Sequence, residues 1–396
     1  MAGTPLDPLG ANQTLARRHN SSAILNLLRQ NGPNSRAWLA TRTSLTRSSV
    51  GRIVDDLCSE NLVREVELAP RRMGRPGMLL ELNPEGGSAI GMEIGVNFIS
   101  ILLTDFSAKM IWRERVSLPD EASAEEYLSR AEQLAHQASD LAAARHYRQM
   151  GIGIGVWGLV DYEKGVIRFA PNLMWHDIPL KEKWEAAFGV PVYIENDANA
   201  CALGEYYFGA GKGIEDFIYI SMDIGVGGGI IAGGKLFRGS SGYAGEIGHM
   251  SIDLHGKPCR CGKVGCLETM VGRRIIIKQY QNLTDAGELT LEEIIQRARS
   301  GDSIARSIFE EVAGILGLGI GNLINIFNPQ RIILGWSIGQ AYDLLLPTLV
   351  KSIRQNSMLD QMGKLDVVPF MNGADDCLLG CVALVMDEII RERVSV

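Results

Sequence analysis

Two stretches of this 396-residue chain resemble each other: AIGMEIGVNFISILLTDFSAKMI (residues 89–111) and FIYISMDIGVGGGIIAGGKLFRG (residues 217–239). Each reads as an apolar strand, a glycine-containing turn, a second apolar strand and a further turn. The glycine turns alone are weak evidence, because strands that cross closely also need glycine. The repetition nevertheless predicts an α/β body in which each stretch begins one of two lobes.

A glycine-rich loop, GHMSIDLHGKPCRCGKVGCLE (residues 248–268), contains three of the seven cysteines and two histidines. No secretion signal is read in the sequence, so a cytoplasmic location is expected, where clustered cysteines bind metal more often than they form disulfides. Three thiolates and one imidazole are a ligand set suited to structural Zn²⁺. His249 and His255 are both candidates for the imidazole, and a cluster of metal-free thiols is the alternative.

The first 80 residues carry eleven arginines, no lysine and six acidic residues, although the whole chain has a net charge of -7. A basic head on an acidic body suggests that the head alone contacts nucleic acid. An ordinary solvated basic surface is the alternative. Apolar spacing over residues 24–28, a helix stop at residues 31–33 and cap residues Ser35 and Thr46 predict three short helices. The first dozen residues are expected to be disordered.

The third helix has an apolar stripe on one face and a basic, hydroxyl-bearing face opposite it. Two strands follow it around an arginine-rich loop, which predicts a winged helix-turn-helix domain over residues 13–82. A small helical bundle that binds protein is the alternative. Such a helix suits the major groove, and a basic wing suits the minor groove. The predicted DNA contacts are Arg47, Ser48, Ser49 and Arg52 in the helix and Arg71, Arg72 and Arg75 in the wing.

Residues 85–396 resemble the ROK family of repressors, open reading frames and kinases. The resemblance rests on C-x-C-G-x-x-G-C-x-E, present from Cys259 to Glu268, and on E-x-G-H, present from Glu246 to His249. It implies an actin-like ATPase and sugar kinase fold with two α/β lobes and a zinc loop at residues 249–268. With its head, the chain is similar to ROK repressors of sugar metabolism of the xylose and N-acetylglucosamine type. The family pattern assigns four zinc ligands: His249, Cys259, Cys261 and Cys266.

The resemblance also implies a sugar site, because the chain retains polar positions that hold sugar hydroxyls in the family. Paired carboxylates and amides can saturate adjacent hydroxyls, each of which both donates and accepts. Trp175 is a candidate for stacking on a sugar ring, with core packing as the more ordinary interpretation. The implied sugar-binding residues are Asn172, Asn196, Asp197, Glu246, His249 and Glu268.

Asp197 matches the general base of ROK kinases, but three turns that contact ATP in those kinases are altered here. Val96 and Asn97 depart from the first glycine turn, Val226 from the second, and Trp336 follows Gly335 where a glycine pair is usual. The changes remove the close backbone approach that phosphate binding requires. The pattern favours a sugar sensor over the alternative, an ATP-dependent sugar kinase with an accessory DNA-binding head.

The sequence therefore predicts a cytoplasmic, sugar-responsive transcriptional repressor of carbohydrate metabolism genes that is not an enzyme. Its expected partners are double-stranded operator DNA, a monosaccharide effector and further copies of itself, as a dimer or tetramer. Its expected cofactor is one structural Zn²⁺ per chain. No membrane contact is expected, since no apolar run in the sequence is read as long enough to span a bilayer. Control by a phosphotransferase protein instead of a sugar is a further alternative.

Overall fold

The computed structural model describes residues 8–67, 78–119, 121–284, 286–358 and 364–392. These residues form two compact units. The first unit comprises the chain up to Asn196 together with the segment that begins at Leu378, and the second unit runs from Asp197 to Cys377. The winged head, whose two strands are β1 and β2, lies in the first unit.

The head contains the predicted three helices and two antiparallel strands. Ser35 and Thr46 are the N-caps of the second and third helices, where their side chains accept hydrogen bonds from Trp38 N and Ser49 N. The first helix begins at Pro8, so the expectation that the first dozen residues lack structure is wrong for residues 8–12. The elements are α1 (Pro8–Asn31), α2 (Arg36–Thr43), α3 (Arg47–Ser59), β1 (Val63–Glu67) and β2 (Met78–Leu82).

The body of the first unit is a five-stranded sheet in the order β10-β6-β3-β4-β5. Its strands β3 and β4 are the hairpin read from residues 89–111, and β6 and β10 extend the sheet in parallel. A smaller antiparallel sheet, β7-β8-β9, and two helices complete it. The elements are β3 (Ser88–Gly95), β4 (Phe98–Asp105), β5 (Met110–Ser117), α4 (Ala124–Ala144), β6 (Gln149–Val156), β7 (Leu159–Asp161), β8 (Val166–Ala170), β9 (Trp175–Ile178), α5 (Leu180–Phe188) and β10 (Val192–Asn196).

The second unit repeats this topology, with strand order β13-β12-β11-β14-β15. Its first two strands pair antiparallel, and the last two continue the sheet in parallel on the other side of β11. The predicted duplication is therefore confirmed. The elements are α6 (Asp197–Phe208), β11 (Phe217–Met222), β12 (Val226–Ala232), β13 (Lys235–Leu236), α7 (Arg273–Thr284), α8 (Leu291–Arg299), α9 (Ser303–Phe327), β14 (Arg331–Gly335), α10 (Trp336–Gln340), α11 (Tyr342–Asn356) and β15 (Asp366–Pro369).

The expectation that no apolar run reaches the length of a membrane span is wrong for helix α9. By length and composition it is long and apolar enough to cross a bilayer, and 61% of its most apolar window is buried in the structure. Helices α7, α8 and α11 pack against it. A helix enclosed by other helices is apolar on most sides, so α9 has the composition expected of a core helix.

The last helix, α12 (Asp376–Glu392), begins in the second unit and continues in the first. Two glycines in the first unit allow its backbone to lie directly on the sheet. A Cβ at Gly91 of β3 would lie 2.3 Å from the Leu378 carbonyl oxygen, and one at Gly153 of β6 would lie 2.1 Å from that of Cys381. No side chain fits at either position, so glycine is required by the close approach of helix and sheet.

Two fully buried carboxyl groups, those of Glu205 and Asp376, lie near each other in the second unit. The Glu205 carboxylate accepts hydrogen bonds from the backbone N–H groups of Ala210, Met371 and Asn372. Burial first, and the neighbouring Glu205 charge second, raise the pKa of Asp376 well above its ordinary value. Asp376 therefore keeps its proton to a higher pH in the folded protein than in the unfolded chain.

This predicts a pH-dependent gain in stability for Asp376→Asn. An acid with a raised folded-state pKa destabilises the fold progressively as pH rises above its unfolded pKa of 3.8, because the unfolded chain ionises first. The neutral amide removes that penalty, so the variant should melt higher at pH 7, by about 2–4 °C for each kcal/mol recovered. The advantage should shrink as pH falls toward 4. Melting curves over this range test it, and an equal or lower melting temperature at pH 7 would contradict the assignment.

Candidate functional site

The basic face of α3 is exposed as the sequence predicts. Arg47, Ser48 and Arg52 are exposed and Ser49 is half-buried, while the opposite stripe of Val50, Ile53, Val54 and Leu57 is buried. The Thr46 hydroxyl lies 3.0 Å from Ser48 Oγ and 2.9 Å from Ser49 Oγ, so both serine hydroxyls are held at the helix N-terminus. The predicted wing contacts Arg71, Arg72 and Arg75 lie outside the described residues.

The acidic residues at the other end of α3 are paired by arginines that the sequence analysis left out. Arg36 binds Asp55 at 2.9 Å and Glu65 at 2.8 Å, and Arg17 pairs with Asp56. These pairs offset the negative charge on the C-terminal part of the helix. The two arginines of the helix, Arg47 and Arg52, both lie in its N-terminal half, where they can contact phosphate.

The predicted metal ligands come together in the second unit. The ligand atoms of His249, Cys259, Cys261 and Cys266 all lie within 4.8 Å of one another. Cys261 Sγ is 3.6 Å from Cys266 Sγ, and Cys259 Sγ is 3.6 Å from His249 Nδ1. A tetrahedral zinc site with metal–ligand distances of about 2.0–2.3 Å has edges of about 3.5–3.8 Å, so these separations fit such a site.

The backbone of the loop is ordered by its own hydrogen bonds. Cys259 N donates to Lys263 O at 2.8 Å, and Gly265 N donates to Lys257 O at 2.9 Å. Gly265 has a φ of +70°, and a Cβ there would lie 1.6 Å from the Asp253 carbonyl oxygen. The other candidate imidazole, His255, is exposed and does not belong to the ligand group. The structure thus brings His249 to the cysteines.

The thiols of the group differ in their surroundings. Burial raises the pKa of Cys259 and of Cys266 above the ordinary value, while a hydrogen bond from the Lys263 backbone N–H lowers the pKa of Cys261. Metal binding to the first two must therefore displace protons that the metal-free protein holds.

Two carboxylates flank the histidine. Glu268 Oε1 lies 3.4 Å from His249 Nδ1 and accepts a hydrogen bond from Cys259 Sγ at 2.9 Å, while Glu246 Oε2 lies 3.8 Å from His249 Nε2. Desolvation raises the pKa of Glu246, opposed by His249 and reinforced by the Glu268 charge. The Glu246 side chain is 41% exposed, so it is only partly removed from solvent.

The other implied sugar residues occupy defined positions in each unit. In the first unit, Asn172 lies in the turn between β8 and β9, and Asn196 ends β10 with its amide donating to Gly158 O at 3.1 Å. In the second unit, Asp197 is the first residue of α6. Trp175 is 2% exposed and packs edge-to-face on Tyr127 at 5.7 Å, which confirms the core-packing interpretation.

In the first unit, aromatic and charged side chains surround the altered turn at Val96 and Asn97. Asn97 has a φ of +66°, a region that favours glycine, and its N–H donates to the Tyr127 hydroxyl. The Arg115 guanidinium lies 3.6 Å from the centroid of Phe98, which also contacts Trp157 edge-on. The turn is therefore a packed structure rather than an open backbone cradle.

In the second unit, the corresponding turn contains an acid that was not predicted as a site residue. Asp223, between β11 and β12, accepts a hydrogen bond from Ser337 Oγ at 3.2 Å and pairs with Arg273 at 3.4 Å. A carboxylate disfavours phosphate, and the pair with Arg273 offsets part of its charge here. Its signal in the sequence was the acid directly before the IGVGGG run. Trp336 has a φ of +52°, where glycine is favoured, so the indole replaces an expected glycine at the end of β14.

Comparison with known proteins agrees with this division into a head and a body. The family described as "ROK family" matches residues 89–388, and "Winged helix-turn-helix DNA-binding" matches residues 17–64. The chain therefore belongs to the ROK family.

Similar proteins carry both parts. A xylose repressor from Caldicellulosiruptor bescii is 34% identical over 391 residues, covering 96% of this chain and 98% of the relative. The regulator NagC from Escherichia coli K12 is 32% identical over 357 residues, covering 88% and 87%. The crystal structure of a ROK family transcriptional regulator, a homologue of E. coli MLC, superposes with a TM-score of 0.82 at 28% identity, covering 96% and 99%. This chain is a transcriptional repressor and not an enzyme, and the predicted fold class is confirmed.

Proposed function

We propose that this protein holds operator DNA through its head in the cytoplasm and releases it when a monosaccharide binds the body. One observation carries the proposal. The body brings the carboxylates of Glu246 and Glu268 to His249, while its β11–β12 turn carries a further carboxylate, Asp223. Carboxylates that can hold sugar hydroxyls, together with an acid in the turn that would face nucleotide phosphates, suit a sensor.

The orientation of His249 supports a shared role in metal and sugar binding. Its Nδ1 faces Cys259, so Nδ1 is the proposed metal ligand and Nε2 keeps its proton. Nε2 can then donate to Glu246 or to a sugar hydroxyl beside it. We extend the sugar-binding set to Asp197 and to Asn172 and Asn196 of the first unit on the order of the family motifs alone.

We propose that the resident metal is Zn²⁺, one per chain. A closed set of three sulfurs and one nitrogen leaves no open coordination position for catalysis, so its role is structural. When bound, the ion would tie His249 and the loop from Cys259 to Cys266 together. Glu268, which already contacts both His249 and Cys259, would be held with them.

A winged head that reads one half-site implies a second head for a palindromic operator. We therefore propose a homodimer or higher oligomer. Reciprocity requires that a sugar that weakens DNA binding is itself bound less tightly by the DNA complex. A sugar titration with and without operator DNA, and an operator titration with and without sugar, should give the same coupling factor.

For the head, Arg52→Ala should weaken operator binding by about ten- to a hundredfold, equivalent to about 1–3 kcal/mol for an arginine that reads a base. Arg52 is exposed on the N-terminal half of α3, so the substitution removes no core contact. A suitable control is Arg354→Ala, a substitution on α11 of the second unit. Fluorescence anisotropy at one salt concentration measures both. Equal affinities for the wild type and Arg52→Ala would contradict the assignment of α3 as the recognition helix.

A thermal-shift screen against a panel of monosaccharides that includes D-xylose and N-acetylglucosamine tests the effector class. A ligand of the folded state raises its apparent stability. We expect at least one monosaccharide to raise the melting temperature without ATP. A panel that produces no shift would contradict a sugar effector, and release of DNA only by a phosphotransferase protein would assign the control to that protein instead.

A further inference from the structure

Arg29 of the DNA-binding head is a buried arginine. Its side chain is 1% exposed and pairs with Asp387 of α12, while Nη2 also donates to Asn26 Oδ1 at 2.7 Å. Nη1 reaches the carbonyl oxygen of Ala383 at 3.4 Å. Removing either member of a buried ion pair leaves the other charge uncompensated, so the Arg29–Asp387 pair favours contact between the two helices.

A second buried contact continues the interface. Ser22 Oγ donates to the carbonyl oxygen of Ile390 at 2.7 Å. Ser22 and Arg29 lie two turns apart on one face of α1, and Asp387 and Ile390 lie one turn apart on α12. Because the partner position on α12 moves backward as α1 advances, the two helices pack antiparallel. We call this set, formed by Ser22, Arg29, Asp387 and Ile390, the clasp.

The N-terminal part of α12 also makes close contacts. The carbonyl oxygens of Leu378 and Cys381 lie against Gly91 and Gly153 of the first sheet. Asp376, the first residue of the helix, belongs to the second unit, is 1% exposed and accepts a hydrogen bond from Asn372 at 3.2 Å. One continuous helix therefore starts in the second unit, crosses the first sheet and ends on the helix that carries the head.

We propose that Arg29 is a positioning residue for operator binding and that its clasp with Asp387 makes α12 the link through which the body sets the position of the DNA-binding head. Arg29 touches no DNA in this account, since its side chain is buried against α12. It acts by holding α1 in one orientation, so that the two heads of an oligomer meet their half-sites at one spacing. The inference rests on the proposed function of the protein as an operator-binding oligomer.

The test uses the full-length protein and a duplex that the wild type enriches from random DNA. Affinity is measured for that duplex and for the same duplex with two base pairs inserted between its half-sites. For the wild type, the insertion should weaken binding by at least about tenfold, because fixed heads cannot follow the displaced half-site. We call the factor by which the insertion weakens binding the spacing penalty. For Arg29→Met and for Asp387→Asn, the spacing penalty should fall below about threefold. The double variant should show the same spacing penalty as each single variant.

Three further measurements separate positioning from general destabilisation. Arg29→Lys keeps the positive charge but lacks the planar guanidinium with its paired N–H donors. Its spacing penalty should lie between those of Arg29→Met and the wild type. Arg391→Met removes an exposed charge that pairs with Glu388 of the same helix, and it should leave the penalty unchanged. Unchanged hydrogen-exchange protection of α3 shows that the head is folded. If Arg29→Met does not fold, Asp387→Asn, which preserves shape, carries the test.

Folded clasp variants that keep the wild-type spacing penalty would overturn the inference. If the wild-type protein enriches no duplex with paired half-sites, the proposed function is overturned. The proposed role of the clasp in positioning the heads is then overturned as well. The two failures are distinguishable because the second is visible before any variant is made.

Discussion

Cys259→Ser should abolish the metal site and, with it, the response to sugar. Cys259 is 8% exposed and its sulfur contacts both His249 and Glu268, so it joins the ligand group to the carboxylate cluster. Loss of one of four zinc ligands should lower metal affinity by more than the roughly 10–100-fold typical of outer-shell changes. Without the metal, the loop loses the restraint that holds His249 beside Glu246, and sugar affinity falls.

The measurements are zinc per chain by elemental analysis and sugar-induced thermal shift. Wild type should contain close to one zinc per chain and the variant close to none. Cys58→Ser in the head is the matched control, because Cys58 lies outside the ligand group and should leave the zinc content unchanged. Operator affinity without sugar should be nearly the same in all three proteins. A Cys259→Ser protein that retains one zinc per chain would show that the ligand assignment is wrong.

Asp197→Asn should make the repressor poorly inducible while leaving operator binding intact. A charged hydrogen bond to a bound hydroxyl contributes roughly 1.5–3 kcal/mol, so its loss should weaken sugar binding by about ten- to a hundredfold. Asp197 is the first residue of α6, where a negative charge also stabilises the helix N-terminus. That effect is smaller, about 0.3–1 kcal/mol, so a modest drop in melting temperature should accompany a large drop in sugar affinity.

Calorimetric titration with the monosaccharide selected by thermal shift measures the affinity. Asp216→Asn serves as the control, since this acid belongs to the same unit and its carboxylate caps a backbone turn at Gly233 N. The control should bind sugar as the wild type does. Wild-type sugar affinity in Asp197→Asn would remove Asp197 from the proposed site.

Local signals in the sequence were sufficient for much of this structure. Ser35 and Thr46 cap the helices they were expected to cap, because a cap depends on residues three positions away. The duplicated hairpins followed from repetition and the cysteine cluster from spacing, while the choice of His249 over His255 came from the family resemblance. The start of α1 at Pro8 was missed because composition alone suggested disorder there.

Features that depend on distant contacts were not accessible in the same way. The Arg29–Asp387 pair joins residues 358 positions apart, and nothing in the local spacing of either residue indicates the other. Ser337 and Arg273 converge on Asp223 only when β14 and α7 are placed beside β11. The burial of Trp175 against Tyr127 likewise depends on the packing of α4 on the sheet.

The central claim is that sugar alone, without phosphoryl transfer, releases this repressor from DNA. The most direct measurement follows the anisotropy of a labelled operator duplex bound by the full-length protein, titrated with the selected monosaccharide in the absence of ATP. The account predicts a saturable loss of operator binding, and addition of ATP and Mg²⁺ should produce no sugar phosphate. Operator binding that is unchanged at saturating sugar, or turnover at about 1–100 per second with ATP, would contradict it.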